Sequence, residues 1–152
     1  MLTKLTGTDS HNFALTILRL FLGIVFFAHG GQKALGWFGG YGYSGTMGFF
    51  THQGIPAPLA FLAIMAEFLG GLGLIVGLLS RIAAFGIFCN MLVAVLMYHR
   101  HVGFFMNWGG DQKGEGYEFH LLAMAIALAI MIAGSGALSV DATLSGDADR
   151  RP

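Results

Sequence analysis

A single cysteine, Cys89, and very little charge are the first constraints on this 152-residue sequence. Dithiol or disulfide chemistry within one chain needs two thiols. A four-helix thiol oxidoreductase of the CxxC kind and structural disulfides are both excluded. Only 11% of residues are charged, against about 25% in an average soluble domain. Eight basic residues balance eight acidic ones. There is no basic footprint for nucleic acid.

What is abundant is apolar: 55% of residues are hydrophobic. The few charges are segregated and leave four apolar runs, at 13–35, 58–79, 82–98 and 119–133. Each approaches the ~20 residues that span a bilayer. The fourth is short, and gains length if it starts near Gly116 and runs to Leu138. Four such runs leave too little polar surface to cover them in water. The expectation is an all-α integral membrane four-helix bundle over residues 1–138. A polar, disordered tail follows over 139–152. Phe13 to Ala28 is a poor signal peptide. Arg19 breaks its apolar core, Asp9 accompanies Lys4 upstream, and no small-x-small site follows. It reads as a retained first helix.

Four spans put both termini on one side. Lys4, Arg81, Arg150 and Arg151 then share that side, with Arg100 and Lys113 opposite and Lys33 at the rim. The positive-inside rule favours cytoplasmic termini in a bacterial cytoplasmic (inner) membrane, on a narrow margin. Two long extracytoplasmic loops, about 36–57 and 99–117, lie side by side and are rich in glycine and aromatics. They read as an aromatic belt at the headgroup level or as a lid over the mouth of the bundle. Within the first, Gly40-x-Gly42-x-x-Gly45 matches a dinucleotide fingerprint only as a string. That fingerprint needs a strand before it and a helix after it.

Glu67 is the most informative residue. A carboxylate in an otherwise uncharged span costs about 3 kcal/mol on insertion scales, so it faces the bundle interior and has a partner. At 100° per residue, Arg19, His29 and Lys33 share an arc of the first helix with Gly23 and Gly30. On the second, Ala60, Ala63, Glu67, Gly70 and Gly71 share a face. On the third, Ala83, Gly86, Asn90, Ala94 and His101 do so. On the fourth it is His120, Met124, Ala127 and Met131. Small residues beside polar ones are what close helix packing in lipid uses. Counted from the cytoplasmic end, Arg19 lies roughly 9 Å deep, Glu67 roughly 18 Å and His29 roughly 24 Å. Glu67 is therefore expected to pair with His29 or Arg19.

His29, Glu67, Asn90 and His120, with Arg19 and Lys33 near, form a candidate outward-facing polar pocket. Two readings stay open. One is a structural hydrogen-bond network that holds the bundle. The other is an ionisable site that moves protons or offers donors to a quinone headgroup beside apolar walls. Metal is not expected. His99 and His101 face different ways on a helix, and no His-x-x-x-His or Glu-x-x-His spacing occurs.

The chain resembles the DoxX family of small four-helix bacterial membrane proteins. The resemblance runs from about Leu18 to Asp141. It rests on Arg19-Leu20-Phe21-Leu22-Gly23, Ala28-His29-Gly30-Gly31-Gln32-Lys33 and Phe38-Gly39-Gly40-Tyr41-Gly42. It continues through Gly45-Thr46, Gly54-Ile55-Pro56 and Glu67-Phe68-Leu69-Gly70-Gly71. Gly77-Leu78-Leu79-Ser80-Arg81, Asn107-Trp108 and Gly114-Glu115-Gly116-Tyr117-Glu118-Phe119-His120 complete it. It looks closer to DoxX than to the longer relatives in thiosulfate:quinone oxidoreductase. The resemblance implies a membrane bundle tied to redox or thiol-stress functions. His29, Glu67 and His120 carry over only as candidate polar-site residues. Three functions follow as alternatives. The first is the membrane subunit of a redox complex that docks a redox protein partner and handles quinone as cofactor. The second is a non-enzymatic scaffold that recruits soluble partners. The third is a small-molecule or proton-coupled carrier acting as a homo-oligomer. No autonomous catalytic centre is visible.

Overall fold

The computed structural model describes residues 5–145. The described residues are helical, with no strand among them. Six α-helices follow in order: α1 (Phe13–Leu35), α2 (Gly42–His52), α3 (Ala57–Val76), α4 (Ser80–Met97), α5 (Glu118–Ala133) and α6 (Val140–Leu144). Short 3-10 turns sit at Trp37–Gly39 and His99–His101. α1, α3 and α4 are long and apolar enough to cross a membrane, and α5 is a shorter apolar helix.

Local chemistry sets the boundaries. Asn12 caps α1 by accepting from Leu15 N at 3.1 Å, and Gly36 ends it at φ 75°, a conformation that glycine adopts without a Cβ penalty. Pro56 caps α3, and Pro58 sits in its first turn, where a missing N–H costs nothing. Gly77 closes α3 at φ 73°.

α1 packs along α3, α3 along α4, α4 along α5, and α5 returns to α1. Leu22, Phe26, Leu74, Ile87, Met91, Ala127 and Ile130 meet in the buried centre. Outward, Phe13, Ile17, Phe21 and Ile24 recur at helical spacing on α1 and stay more than half exposed. α3, α4 and α5 expose similar apolar residues, among them Leu62, Leu69, Phe85, Leu96, Leu122 and Ile132. Apolar faces on every long helix are what a lipid solvent selects.

The tightest packing is between α1 and α3. A Cβ on Gly71 would sit 2.7 Å from Phe27 Cα and 2.9 Å from the Phe26 carbonyl carbon. A Cβ on Gly23 would sit 2.9 Å from the Gly71 carbonyl oxygen, and one on Gly30 would run into the Phe68 backbone. Backbones this close leave room only for glycine. Gly70, its neighbour, faces α4 instead, at ordinary contact distance from Ala83.

Three expectations need correction. First, the loop from 36 to 57 contains α2. Glycine and aromatic content hid an eleven-residue helix that packs on α1 and α3. Second, α5 does not extend from Gly116 to Leu138. It stops at Ala133, where Gly134 turns to φ 92°, and Gly134 and Gly136 then lie against Gly7, Thr8 and Asn12. Third, the disordered tail does not begin at Ser139. Ser139 caps α6 through Ala142 N, at 3.2 Å. The buried Asp141 accepts from Leu79 N at 2.7 Å and Ser80 N at 2.9 Å. That carboxylate caps α4, whose first residues otherwise have unsatisfied N–H groups. It also holds Leu79 at φ 50°, a conformation unfavourable for a branched residue. The rest of the expected tail, 146–152, lies outside the described residues, as does Lys4.

Gly71→Leu should therefore destabilise the protein by about 3 kcal/mol or more, read as a clear drop in melting temperature in detergent. Gly70→Ala should be near neutral. Equal tolerance at both positions would mean that α1 and α3 do not meet through Gly71.

Candidate functional site

Glu67 is 1% exposed and has two side-chain partners. The Lys33 ammonium donates to Oε2 and makes an ion pair. Asn90 Nδ2 donates to Oε1 at 2.7 Å and lies 3.4 Å from the Ala63 carbonyl oxygen. Three helices therefore meet at one carboxylate: α1 through Lys33, α3 through Glu67 itself and α4 through Asn90. The close approach at Gly30 makes the Lys33 contact feasible. Gly30 lies against the backbone of Phe68 and Glu67, so a lysine one turn further along α1 reaches the acid.

Neither expected partner of Glu67 is the partner found. Arg19 is 1% exposed but lies about two turns along α3 from Glu67. Its Nη1 donates to the carbonyls of Leu74 and, at 2.7 Å, Ile75. Its Nε donates to Ser135 O at 3.0 Å, and Nη2 to Leu138 O at 3.1 Å. These are carbonyls at the C-terminus of α3 and in the chain after α5. A planar guanidinium satisfies several acceptors at once, and a cation suits a helix C-terminus. Arg19 is thus a clamp at the opposite end from the carboxylate.

His29 is exposed and contacts rings rather than the acid. Its ring centroid lies 6.5 Å from that of Phe26 and 6.4 Å from that of Phe119. His120 is buried and lies against His99, with ring centroids 4.0 Å apart. His120 Nδ1 has no hydrogen-bond partner among the described residues, and His99 Nδ1 donates to the Glu115 carbonyl at 2.7 Å. The expected six-residue pocket therefore resolves into three places: Lys33–Glu67–Asn90, the His99–His120 pair, and the Arg19 clamp. His29 stands outside all three. Among the described residues no group of three His, Cys, Asp or Glu side chains has metal-binding geometry.

Lys33 opens onto two adjoining clefts. One, of about 480 Å³, is lined by Lys33, Tyr41, Gly45, Thr46, Phe49 and Phe50. The other, of about 290 Å³, shares Lys33, Tyr41 and Thr46 and adds Gln32, Gly39 and Gly40. Both volumes are near the range of small-molecule pockets, which starts at about 300 Å³. Sequence reading missed α2 and therefore missed Tyr41, Thr46, Phe49 and Phe50 as lining residues. The only available signal was the phenylalanine pair at the end of a glycine-punctuated segment.

Comparison with known proteins narrows the class. The DoxX family model matches residues 14–100, a span that contains Lys33, Glu67 and Asn90. The chain belongs to the DoxX family. It is 27% identical over 125 residues to a protein of Bacillus subtilis (strain 168) named "Putative oxidoreductase CatD", covering 82% of each chain. No solved structure matches. Family and helices together support a transmembrane protein.

Lys33→Met should strand the Glu67 carboxylate with one neutral partner. Leaving a buried carboxylate without its cation costs up to about 3 kcal/mol, less here because Lys33 itself is part-exposed, to be read as lowered thermal stability. Lys33→Met combined with Glu67→Gln should recover much of that loss. A single variant as stable as the wild type would mean that the Lys33–Glu67 contact contributes nothing to stability.

Proposed function

We propose that this DoxX protein is the membrane subunit of a redox complex and handles quinone at the Lys33–Glu67–Asn90 site. In this reading α1, α3, α4 and α5 form a transmembrane four-helix bundle in the bacterial cytoplasmic membrane. The connections carrying α2 and residues 99–117 are extracytoplasmic, and the termini are cytoplasmic. Residues 139–145 join the bundle, so the domain extends past its expected end at 138. The observation that carries the proposal is the buried Glu67 held by Lys33 on the wall of an aromatic cleft. Intramembrane ionisable groups are functional by default, and a quinone needs a hydrogen-bond donor beside apolar walls. The oxidoreductase in the name of the Bacillus subtilis relative points the same way.

A second reading has its own support. In the 99–117 connection, Glu118 Oε1 accepts from Met106 N at 2.8 Å and Trp108 Nε1 at 3.3 Å. Glu115 Oε2 accepts from Asn107 N at 2.8 Å. Carboxylates spent on holding a loop leave Phe105 and Trp108 outward, the latter 87% exposed. A rigid aromatic projection suits a scaffold that recruits a soluble partner as well as it suits a headgroup belt.

Native mass spectrometry of the protein taken from its own membrane should retain a quinone and a second polypeptide. A polypeptide without quinone would favour the scaffold, and neither would overturn both readings. Topology has a separate check. Arg81, in the first turn of α4 beside the short α3–α4 connection, favours a cytoplasmic side for that connection and hence for the termini. A fusion after residue 152 should be active only with a cytoplasmic reporter, and a periplasmic signal would invert the arrangement.

A further inference from the structure

The geometry points to an uncharged, flat ring bearing an acceptor oxygen as the occupant of the cleft between α1 and α2, and to discrimination there against anionic rings of the same shape. This inference rests on the quinone reading and adds the charge selectivity of the site.

Donor accounting comes first. A lysine ammonium has three N–H donors. Among the described residues, Lys33 Nζ has one hydrogen-bond partner, Glu67 Oε2. Its side chain is 30% exposed and lines both clefts. Two donors thus remain for whatever enters. Thr46 also lines both clefts, is buried as a residue, and its hydroxyl has no hydrogen-bond partner among the described residues. Two different donors without acceptors, close to one another, call for an acceptor oxygen.

Charge decides which acceptor. A lone lysine in an apolar cleft would attract an anion. Here Glu67 sits against it, is almost wholly buried, and cannot swing to solvent. The pair is neutral overall. An anion entering the cleft would lose its hydration and meet no net positive charge in return. A neutral carbonyl loses far less hydration and gains the same N–H donors. The walls supply the rest. Tyr41, Phe49 and Phe50 offer aromatic faces, and flat rings stack on aromatic side chains. A volume of about 480 Å³ admits a ring of one or two fused six-membered cycles, with any tail leaving through the open side.

The test uses the full-length protein in lipid nanodiscs and two probes, 2-methyl-1,4-naphthoquinone and its 3-sulfonate. They share a ring and differ in charge. Equilibrium binding, read by quenching of tryptophan fluorescence, should favour the neutral ring by about tenfold or more. Glu67→Gln should narrow or reverse that preference by about tenfold, because Lys33 then stands uncompensated. Tyr41→Ala, at a side chain 88% exposed and therefore safe for folding, should weaken the neutral ring. Wild-type protein that binds the sulfonate as tightly as the neutral ring overturns the charge argument and leaves the quinone reading standing. Wild-type protein that binds neither ring overturns both. Binding of the neutral ring unaffected by Tyr41→Ala places the occupant elsewhere and overturns the assignment to this cleft. Should Glu67→Gln fail to fold, the wild-type ratio and Tyr41→Ala still decide the matter.

Discussion

The contact between the α1 and α3 backbones is the constraint on which the rest depends. Gly23, Gly30 and Gly71 remove the side chains that would hold the two helices apart. Once they touch, both cations of α1 act on α3. Arg19 reaches the carbonyls at its C-terminus, and Lys33 reaches the carboxylate about two turns earlier. In lipid there is little hydrophobic force between helices, so packing and polar contacts must supply the association. The glycines provide the first and make the second geometrically available.

The two ends of the molecule solve different problems with similar chemistry. At the Arg19 end most polar groups are consumed, although Ser80 Oγ and Arg81 Nε are buried without a hydrogen-bond partner among the described residues. Arg19 has four carbonyl acceptors, Asp141 has two N–H donors, and Arg81 Nη1 and Nη2 bond the carbonyls of Met131, Ile132 and Gly7. Such a network is spent mainly on backbone groups and ties the helix ends together. At the Lys33 end the accounting leaves a surplus. Among the described residues, Lys33 Nζ has Glu67 as its one hydrogen-bond partner and so keeps donors to spare, and His120 keeps a buried, unpartnered Nδ1. Burial alone does not separate the two ends, since Arg19 and Glu67 are equally buried; what separates them is that Lys33 lines a cleft and Arg19 is closed in by backbone carbonyls.

Much of the fold was legible in the sequence, because lipid imposes a length and an apolar face on each long helix. α1, α3 and α4 fall within a few residues of the runs read from hydropathy. Helix faces were also legible: Glu67, Gly70 and Gly71 do line the inner side of α3. What failed was pairing. Depth counted along each helix cannot register how far two backbones approach or which way a long side chain leans. His29 has the right depth and points outward, whereas Lys33, expected at the rim, bends back to the acid. Residues with weak propensity were also misread. α2 is built from Gly, Thr, Ser and aromatics, which favour no helix locally, and exists because it packs on α1 and α3. Asp141 looked like tail because its partners are two backbone N–H groups, which leave no trace in a sequence.

The same reasoning explains why Glu67 is tolerable at all. An isolated carboxylate at this depth would take up a proton or drag in water. Asn90 cannot neutralise it, because an amide carries no charge. Lys33 can, and because it enters from the open end of α1 it does so without being buried itself. The ion pair is thus half in the protein interior and half at the cleft wall. Such a pair couples the interior of the protein to whatever occupies the cleft. A ligand that takes hydrogen bonds from Lys33 necessarily changes how tightly Lys33 holds Glu67, and Glu67 in turn is the point where α1, α3 and α4 meet. In the quinone reading, occupancy of the cleft would therefore reach the packing of three helices through one carboxylate, with no need for a separate moving part.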